Sequence, residues 1–129
     1  MIQLKRVYDP PSSTDGTRYL IERLWPRGMK KTSLRLDAWL KNAGPSIKLR
    51  RWFSHDPKKW DLFRRRYFSE LRQNADVWAP ILKAARQGRV TLLFSSHDTE
   101  HSNALALKGF LDARMGRKAA PQRTIHRAA

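Results

Sequence analysis

The alternation of apolar and polar residues along the chain predicts three strands. Residues 2–8, 18–25 and 90–95 are short runs rich in aliphatic and aromatic side chains, next to turn-forming residues or proline. The last run is apolar on both faces, which is typical of a central parallel strand. The loop between the first two runs is short for a helical crossover. Their relative direction therefore stays open: antiparallel, or parallel with an irregular connection.

The remaining apolar residues recur with helical spacing. Capping residues and breakers then predict where each helix begins and ends. The predicted helices cover residues 32–42, a short stretch after Ser46, a longer one from Asp56-Pro57, one from Asp76 to Gly88, and a last one ending at Gly116. In the third of these, one stripe faces the core and consists of Trp60, Phe63, Tyr67 and Leu71.

A long helical crossover between the 18–25 and 90–95 strands predicts that they are parallel and lie side by side or nearly so. The fold class is therefore α/β: a small, mostly parallel sheet of about three or four strands, flanked by helices in a single domain. We assign residues 1–113 to this domain. Residues 114–129 contain five basic residues and no acid, and we expect a basic, disordered tail there.

The composition excludes several classes of functional site. The chain has 129 residues and no cysteine, which excludes thiolate nucleophiles, disulfides and cysteine-ligated metals. No glycine-rich nucleotide fingerprint is present, so no cofactor is predicted. No apolar run is long enough to span a bilayer, and the N-terminus lacks the pattern of a secretion signal, so we expect a cytoplasmic protein without a membrane partner.

Charge is the unusual feature of the composition. Lys and Arg number 27 against 11 Asp and Glu, giving a formal net charge of +16. Such a charge attracts polyanions, phosphates or acidic surfaces at low salt. An excess of positive charge can also act only to keep a protein soluble, so the net charge does not by itself assign a function.

Polar residues that a packed core does not need follow two of the predicted strands. Ligands of open α/β sheets bind beyond the carboxyl ends of strands, so these residues predict a crevice for an anion, a phosphate or a carboxylate. The arginines would hold the anion, the hydroxyls and free amides after residue 94 would orient it, and one tryptophan would form an apolar wall. The predicted ligand-binding residues are Arg23, Trp25, Arg27, Ser95, Ser96 and Asn103.

His55 and Asp56 form the best general acid–base candidate, because histidine titrates near neutrality. The alternative is that Asp56 only caps the helix that starts at Pro57. His97 and His101 invite a metal interpretation, but they straddle a loop–helix junction where three converging ligands cannot be demonstrated, so no metal site is predicted.

Several segments resemble the YeaO-like family of uncharacterised bacterial proteins, DUF488. They are residues 5–9, 22–28, 45–46, 49–50 and 91–94, and the likeness extends over residues 1–112. The family pattern maps onto Arg23, Trp25, Pro26, Arg27 and Gly28, and onto Asn103-Ala104. Relatives have asparagine then histidine where this chain has Ser102-Asn103. The resemblance implies the fold and a shared crevice, and it implies no activity.

Two functional hypotheses follow. The first is a small anionic ligand bound in the crevice, with hydrolase or transferase activity on a phosphate or carboxylate compound. The alternative is a nucleic-acid-binding protein that uses its basic surface, including Arg64-Arg65-Arg66, and its tail. Neither the reaction, the ligand nor the oligomeric state follows from the sequence.

Overall fold

Four short parallel strands carry the fold in the computed structural model, which describes residues 1–124, with side chains described for residues 1–116. Their order across the sheet is β1-β4-β2-β3, and every neighbouring pair is parallel. All four carboxyl ends therefore lie along one edge. The strands are β1 (Ile2–Arg6), β2 (Thr17–Leu20), β3 (Ala38–Trp39) and β4 (Val90–Phe94). The predicted α/β class with a small parallel sheet is confirmed.

Strand β4 is an internal strand of the sheet, as its apolar sequence predicted. All five of its residues are buried. It pairs with β1 from Ile2↔Val90 to Arg6↔Phe94, and with β2 from Thr17↔Val90 to Leu20↔Leu93. Because β4 lies between them, β1 and β2 are parallel to each other without touching, which resolves the direction that the sequence left open.

Strand β2 is shorter than predicted, because the chain leaves the sheet after Leu20 and not at Pro26. The Glu22 carboxylate turns toward the end of β4, where it accepts hydrogen bonds from Ser95. The Glu22 carbonyl accepts a 2.6 Å hydrogen bond from Trp39 Nε1. These contacts bend residues 21–25 across the edge of the sheet.

The predicted helix over residues 32–42 is wrong. Helix α1 is a single turn, Lys31–Leu34, and Arg35 ends it in the left-handed region at φ 48°. The buried Arg18 guanidinium explains the break, because it donates to the carbonyls of both Leu34 and Arg35. The following residues then form β3, which pairs with β2.

Four further helices complete the fold: α2 (Ile47–Phe53), α3 (Trp60–Gln73), α4 (Ala79–Gln87) and α5 (Asn103–Thr124). Ser46 caps α2 as predicted, and Asp56 caps the 3₁₀ turn Pro57–Lys59 that leads into α3. The predicted stripe of α3 points inward, with Phe63, Tyr67 and Leu71 all buried.

Helix α5 begins at Asn103, where the Ser102 hydroxyl accepts from the amide of Leu105. It continues to Thr124, so the predicted end at Gly116 is not observed. Residues 125–129 lie outside the described residues, and the division into a domain and a separate tail stays a prediction. No helix within residues 1–124 is long and apolar enough to cross a membrane.

Candidate functional site

A crevice of about 470 Å³ opens beyond the carboxyl ends of β2 and β4. The chain segments that leave these two strands form one side, and α2, α3 and the start of α5 form the rest. Its volume falls within the range of roughly 300–1,000 Å³ that small-molecule sites occupy. The lining residues with polar side chains are Glu22, Arg23, Arg50, His55, Ser95, Ser96, His97, Asp98, His101, Ser102 and Asn103.

Five of the predicted site residues line this crevice: Arg23, His55, Ser95, Ser96 and Asn103. Asn103 donates from its side-chain amide to the carbonyl of Ile21 at 3.2 Å, so it reaches back to the end of β2 as its position suggested. The structure therefore brings these five residues together at one crevice, although they come from distant segments of the chain. Their roles toward a ligand stay predictions.

Trp25 and Arg27 are not among the lining residues, which corrects their assignment to the crevice. Trp25 donates from Nε1 to the Met29 carbonyl at 2.6 Å and packs edge-on against Trp39. It belongs to a small apolar cluster on the other face of the sheet. Arg27 is exposed, and only its carbonyl is engaged, by the Tyr8 hydroxyl at 3.4 Å.

Arg23 lines the crevice, but its guanidinium is largely committed to the protein. Nε donates to the Pro45 carbonyl at 2.7 Å, Nη2 to the Gly44 carbonyl at 3.3 Å, and Nη1 to Asn42 Oδ1 at 3.4 Å. The side chain therefore fastens residues 42–45 to the edge of the sheet. It does not present the open planar fork that the sequence suggested.

The donors at the end of β4 are also occupied, by a carboxylate that sequence reasoning missed. Ser95 donates its amide to Glu22 at 3.0 Å and its hydroxyl to the same carboxylate at 2.7 Å. Glu22 thus takes the position in which we expected an external anion. The available signal was an acidic residue directly after the apolar run that ends at Ile21.

Asp98 and His101 form a hydrogen-bonded carboxylate–imidazole pair on the crevice wall. The sequence had suggested His55 and Asp56 as such a pair. His101 Nδ1 lies 2.9 Å from Asp98 Oδ2, and the other carboxylate oxygen accepts from the amides of Glu100 and His101. Burial acts to raise the pKa of Asp98, but hydrogen bonds from His101 and from these amides outweigh it and lower the pKa. The imidazole also packs edge-on against Trp60, with ring centroids 5.4 Å apart.

His55 and Asp56 do not form such a pair. Asp56 accepts a hydrogen bond from the amide of Lys58 at 3.0 Å, which is the capping role held open as the alternative. His55 is exposed at the rim, next to the ring of Phe53. Both Ser54 and His55 adopt positive φ, 47° and 56°, a strained arrangement for consecutive non-glycine residues.

Arg50 also lines the crevice without having been predicted as a site residue. It is exposed on α2, one turn before Phe53, and makes no hydrogen bond or ion pair with any side chain described in residues 1–116. Below it, Phe53 and Phe63 stack with centroids 4.3 Å apart and form an apolar wall. No group of three His, Asp or Glu side chains in the described part of the chain could hold a metal ion.

The fold and the crevice define a small parallel α/β protein with a mixed polar and aromatic cleft at its strand ends. The chain belongs to the YeaO-like DUF488 family, since the family model described as "Inactive DUF488-N3 subclade" matches residues 1–127. It is 43% identical over 110 residues to the uncharacterized protein YeaO of Escherichia coli, covering 85% of this chain and 96% of the relative. It is 34% identical over 113 residues to the uncharacterized protein Rv3073c of Mycobacterium tuberculosis, covering 88% and 95%. No solved structure matches it significantly.

Proposed function

We propose that the crevice binds a small organic anion, a phosphate or carboxylate compound with an apolar ring or chain, without chemically converting it. One observation carries the proposal: the Arg50 guanidinium has no partner among the described side chains and lies on the same crevice as the Phe53–Phe63 wall. A free guanidinium suits a phosphate or carboxylate, and stacked rings suit an apolar group.

The choice of binding over hydrolase or transferase activity rests on the crevice hydroxyls. A hydrolytic nucleophile needs an adjacent base that takes its proton. Here the Ser95 hydroxyl is donated to Glu22, Ser96 is engaged with the Asp98 backbone, and Ser102 caps α5. The word "inactive" in the description of the family agrees with this choice. The Asp98–His101 pair then supplies a fixed imidazole that hydrogen-bonds the ligand.

Isothermal titration calorimetry with phenyl phosphate and with 3-phenylpropionate tests the proposal. Inorganic phosphate and phenol serve as the two halves of phenyl phosphate, and propionate and benzyl alcohol as the acidic and aromatic fragments of the second compound. We expect the intact compounds to bind more tightly than either half. Arg50→Gln should weaken binding by at least about tenfold, the loss of one charge-assisted contact of about 1.4 kcal/mol or more. Arg51→Gln, an exposed neighbour outside the crevice, is the matched control and should change it less than about twofold.

Two outcomes would contradict the proposal. Equal affinities in the Arg50 and Arg51 variants would remove the assigned anchor, and absence of binding by every probe would remove the site. A separate incubation with para-nitrophenyl phosphate checks the non-catalytic part, since release of nitrophenol above the level of the buffer would indicate turnover.

Nucleic-acid binding, the alternative that the charge of the chain suggests, would involve a different surface on α2 and α3. It is compatible with the crevice proposal, because the two would use separate residues.

A further inference from the structure

The outer side of α2 and α3 carries an unusual set of unpaired positive charges. Residues 47–73 contain nine Lys and Arg against three Asp and Glu. We define the basic face as Lys48 and Arg51 on α2, Lys59 in the turn between the helices, and Arg65, Arg66 and Arg72 on α3. Five of these six side chains are exposed, and Lys59 is half-buried.

None of the six forms an ion pair within the described part of the chain. The four salt bridges found there involve other cations: Lys5, Arg18, His101 and Lys108. Two of the three carboxylates in residues 47–73 are also used elsewhere, since Asp56 caps a turn and Glu70 accepts from Ser46. Asp61 is the one exposed carboxylate of this segment.

Trp52 of α2 links the cations of the two helices, because Lys59 and Arg66 both pack against its ring. The Arg66 guanidinium lies 4.4 Å from the centroid of the Trp52 ring, and Lys59 Nζ lies 5.1 Å from it. Arg65 and Arg72 are seven residues apart and therefore share one side of α3, as Lys48 and Arg51 do on α2. The six positive charges thus extend across both helices and the turn that joins them.

We infer that the basic face is a docking surface for nucleic acid, recognised through its phosphates. Four of the six residues are arginines, whose planar fork matches phosphate oxygens better than the lysine ammonium does. An anionic membrane is a poorer fit, because interfacial helices insert their apolar side into lipid. The apolar side of α3, with Phe63, Tyr67 and Leu71, is already buried in the core.

Fluorescence anisotropy with a labelled oligonucleotide, single-stranded and as a duplex, tests this inference over a series of salt concentrations. The test variant replaces four exposed cations that contact no partner: Lys48→Gln, Arg51→Gln, Arg65→Gln and Arg72→Gln. Its matched control loses the same charge elsewhere: Arg27→Gln, Lys30→Gln, Lys83→Gln and Arg86→Gln, all exposed. Circular dichroism checks that both variants fold.

We expect the test variant to bind at least about tenfold more weakly at low salt, and its slope of log affinity against log salt to fall by about 2–4. The control should keep more than half of the wild-type affinity. Equal losses in both variants would mean that net charge alone attracts the oligonucleotide, and an unchanged test variant would mean that binding lies elsewhere. Either result overturns the inference, as would binding to phosphatidylglycerol vesicles without binding to the oligonucleotide.

Discussion

Arg18 in the sheet and Arg23 just after it carry the same charge as the arginines of the basic face, but their guanidinium groups have different surroundings. Arg18 is 5% exposed and donates to Asp15 and to two backbone carbonyls, and Arg23 donates to three acceptors in residues 42–45. On the basic face, Arg51, Arg65 and Arg72 contact no described acceptor. The guanidinium groups of Arg18 and Arg23 therefore hold segments of the fold together, while those of Arg51, Arg65 and Arg72 remain available for a partner. The net charge of +16 does not distinguish these two uses.

The polar groups of the crevice combine both situations, since most of them are hydrogen-bonded within the protein and one arginine is not. Most of its polar groups satisfy one another, as Glu22 with Ser95 and Asp98 with His101 do. Arg50 belongs to the same helix as Arg51 but lines the crevice, so it is the cation there that stays open to a ligand. An arginine thus acquires its role from the acceptors that the fold brings to it.

The largest expected effect is that of Arg18→Met. Removing the buried guanidinium leaves the carbonyls of Leu34 and Arg35 without their side-chain donor and takes one hydrogen bond from the Asp15 carboxylate, which keeps those from Lys5 and the Ser12 amide. The free energy of unfolding should therefore fall by about 2–4 kcal/mol. Urea denaturation measures it. Arg65→Met on the basic face is the control and should stay within about 0.5 kcal/mol of wild type. A loss below about 1 kcal/mol for Arg18→Met would contradict the structural role assigned here.

Lowering the pH should remove the stabilisation that the buried Asp15 carboxylate, the partner of Arg18, gives to the fold. Burial acts to raise the pKa of Asp15, but hydrogen bonds from the Ser12 amide, Lys5 and Arg18 outweigh it and lower the pKa. The stability from this carboxylate is therefore present above its unfolded pKa of about 4 and is lost as pH falls through the lower folded value. We expect the melting temperatures of wild type and Asp15→Asn to differ most at pH 7 and to converge below about pH 4.

Asp61→Asn provides the control for this titration, because Asp61 is exposed and accepts no hydrogen bond from the described residues. Its melting curve should follow that of wild type across the whole pH range. A constant gap between wild type and Asp15→Asn down to pH 3 would mean that the charge of Asp15 does not stabilise the fold.

A smaller effect is expected at Arg23, which is only half-buried. Arg23→Met removes three donors to residues 42–45, and water can replace part of them, so we expect a loss of about 1–2 kcal/mol in urea denaturation. Arg27→Met is the matched control, since Arg27 is exposed and its side chain makes no described contact. Equal stability of the two variants would remove the distinction between these neighbouring arginines.

Local patterns predicted the elements whose cause is local. Strand β4 was recognisable because a strand buried on both faces needs a continuous apolar run. The caps at Ser46 and Asp56 were recognisable because a side-chain oxygen satisfies amides only two or three residues away. The stripe of α3 followed from the period of the helix. In each case the deciding contact lies within a few residues of the signal.

The helix predicted over residues 32–42 was wrong because the deciding contact comes from a distant part of the chain. Leu36, Trp39 and Leu40 have helical spacing, but the buried Arg18 guanidinium takes the carbonyls of Leu34 and Arg35, and β2 then pairs with Ala38 and Trp39. Arg18 is 16 residues away in the chain from Leu34. A spacing rule that considers only neighbours cannot anticipate this competition between a helix and a sheet edge.

The sequence by itself determined an α/β fold with a mostly parallel sheet and polar groups at its strand ends, because burial follows from apolar patterns and a long helical crossover makes the strands that it joins parallel. The direction of the first strand was decided only by its pairing with β4. Tertiary structure alone decided which charged groups face that cleft. In the sequence Arg23, Arg27 and Arg50 look alike, yet the first is taken up by residues 42–45, the second lies outside the cleft, and the third lines it without a partner. Electrostatic roles depend on acceptors contributed by distant segments, and only folding brings those acceptors close.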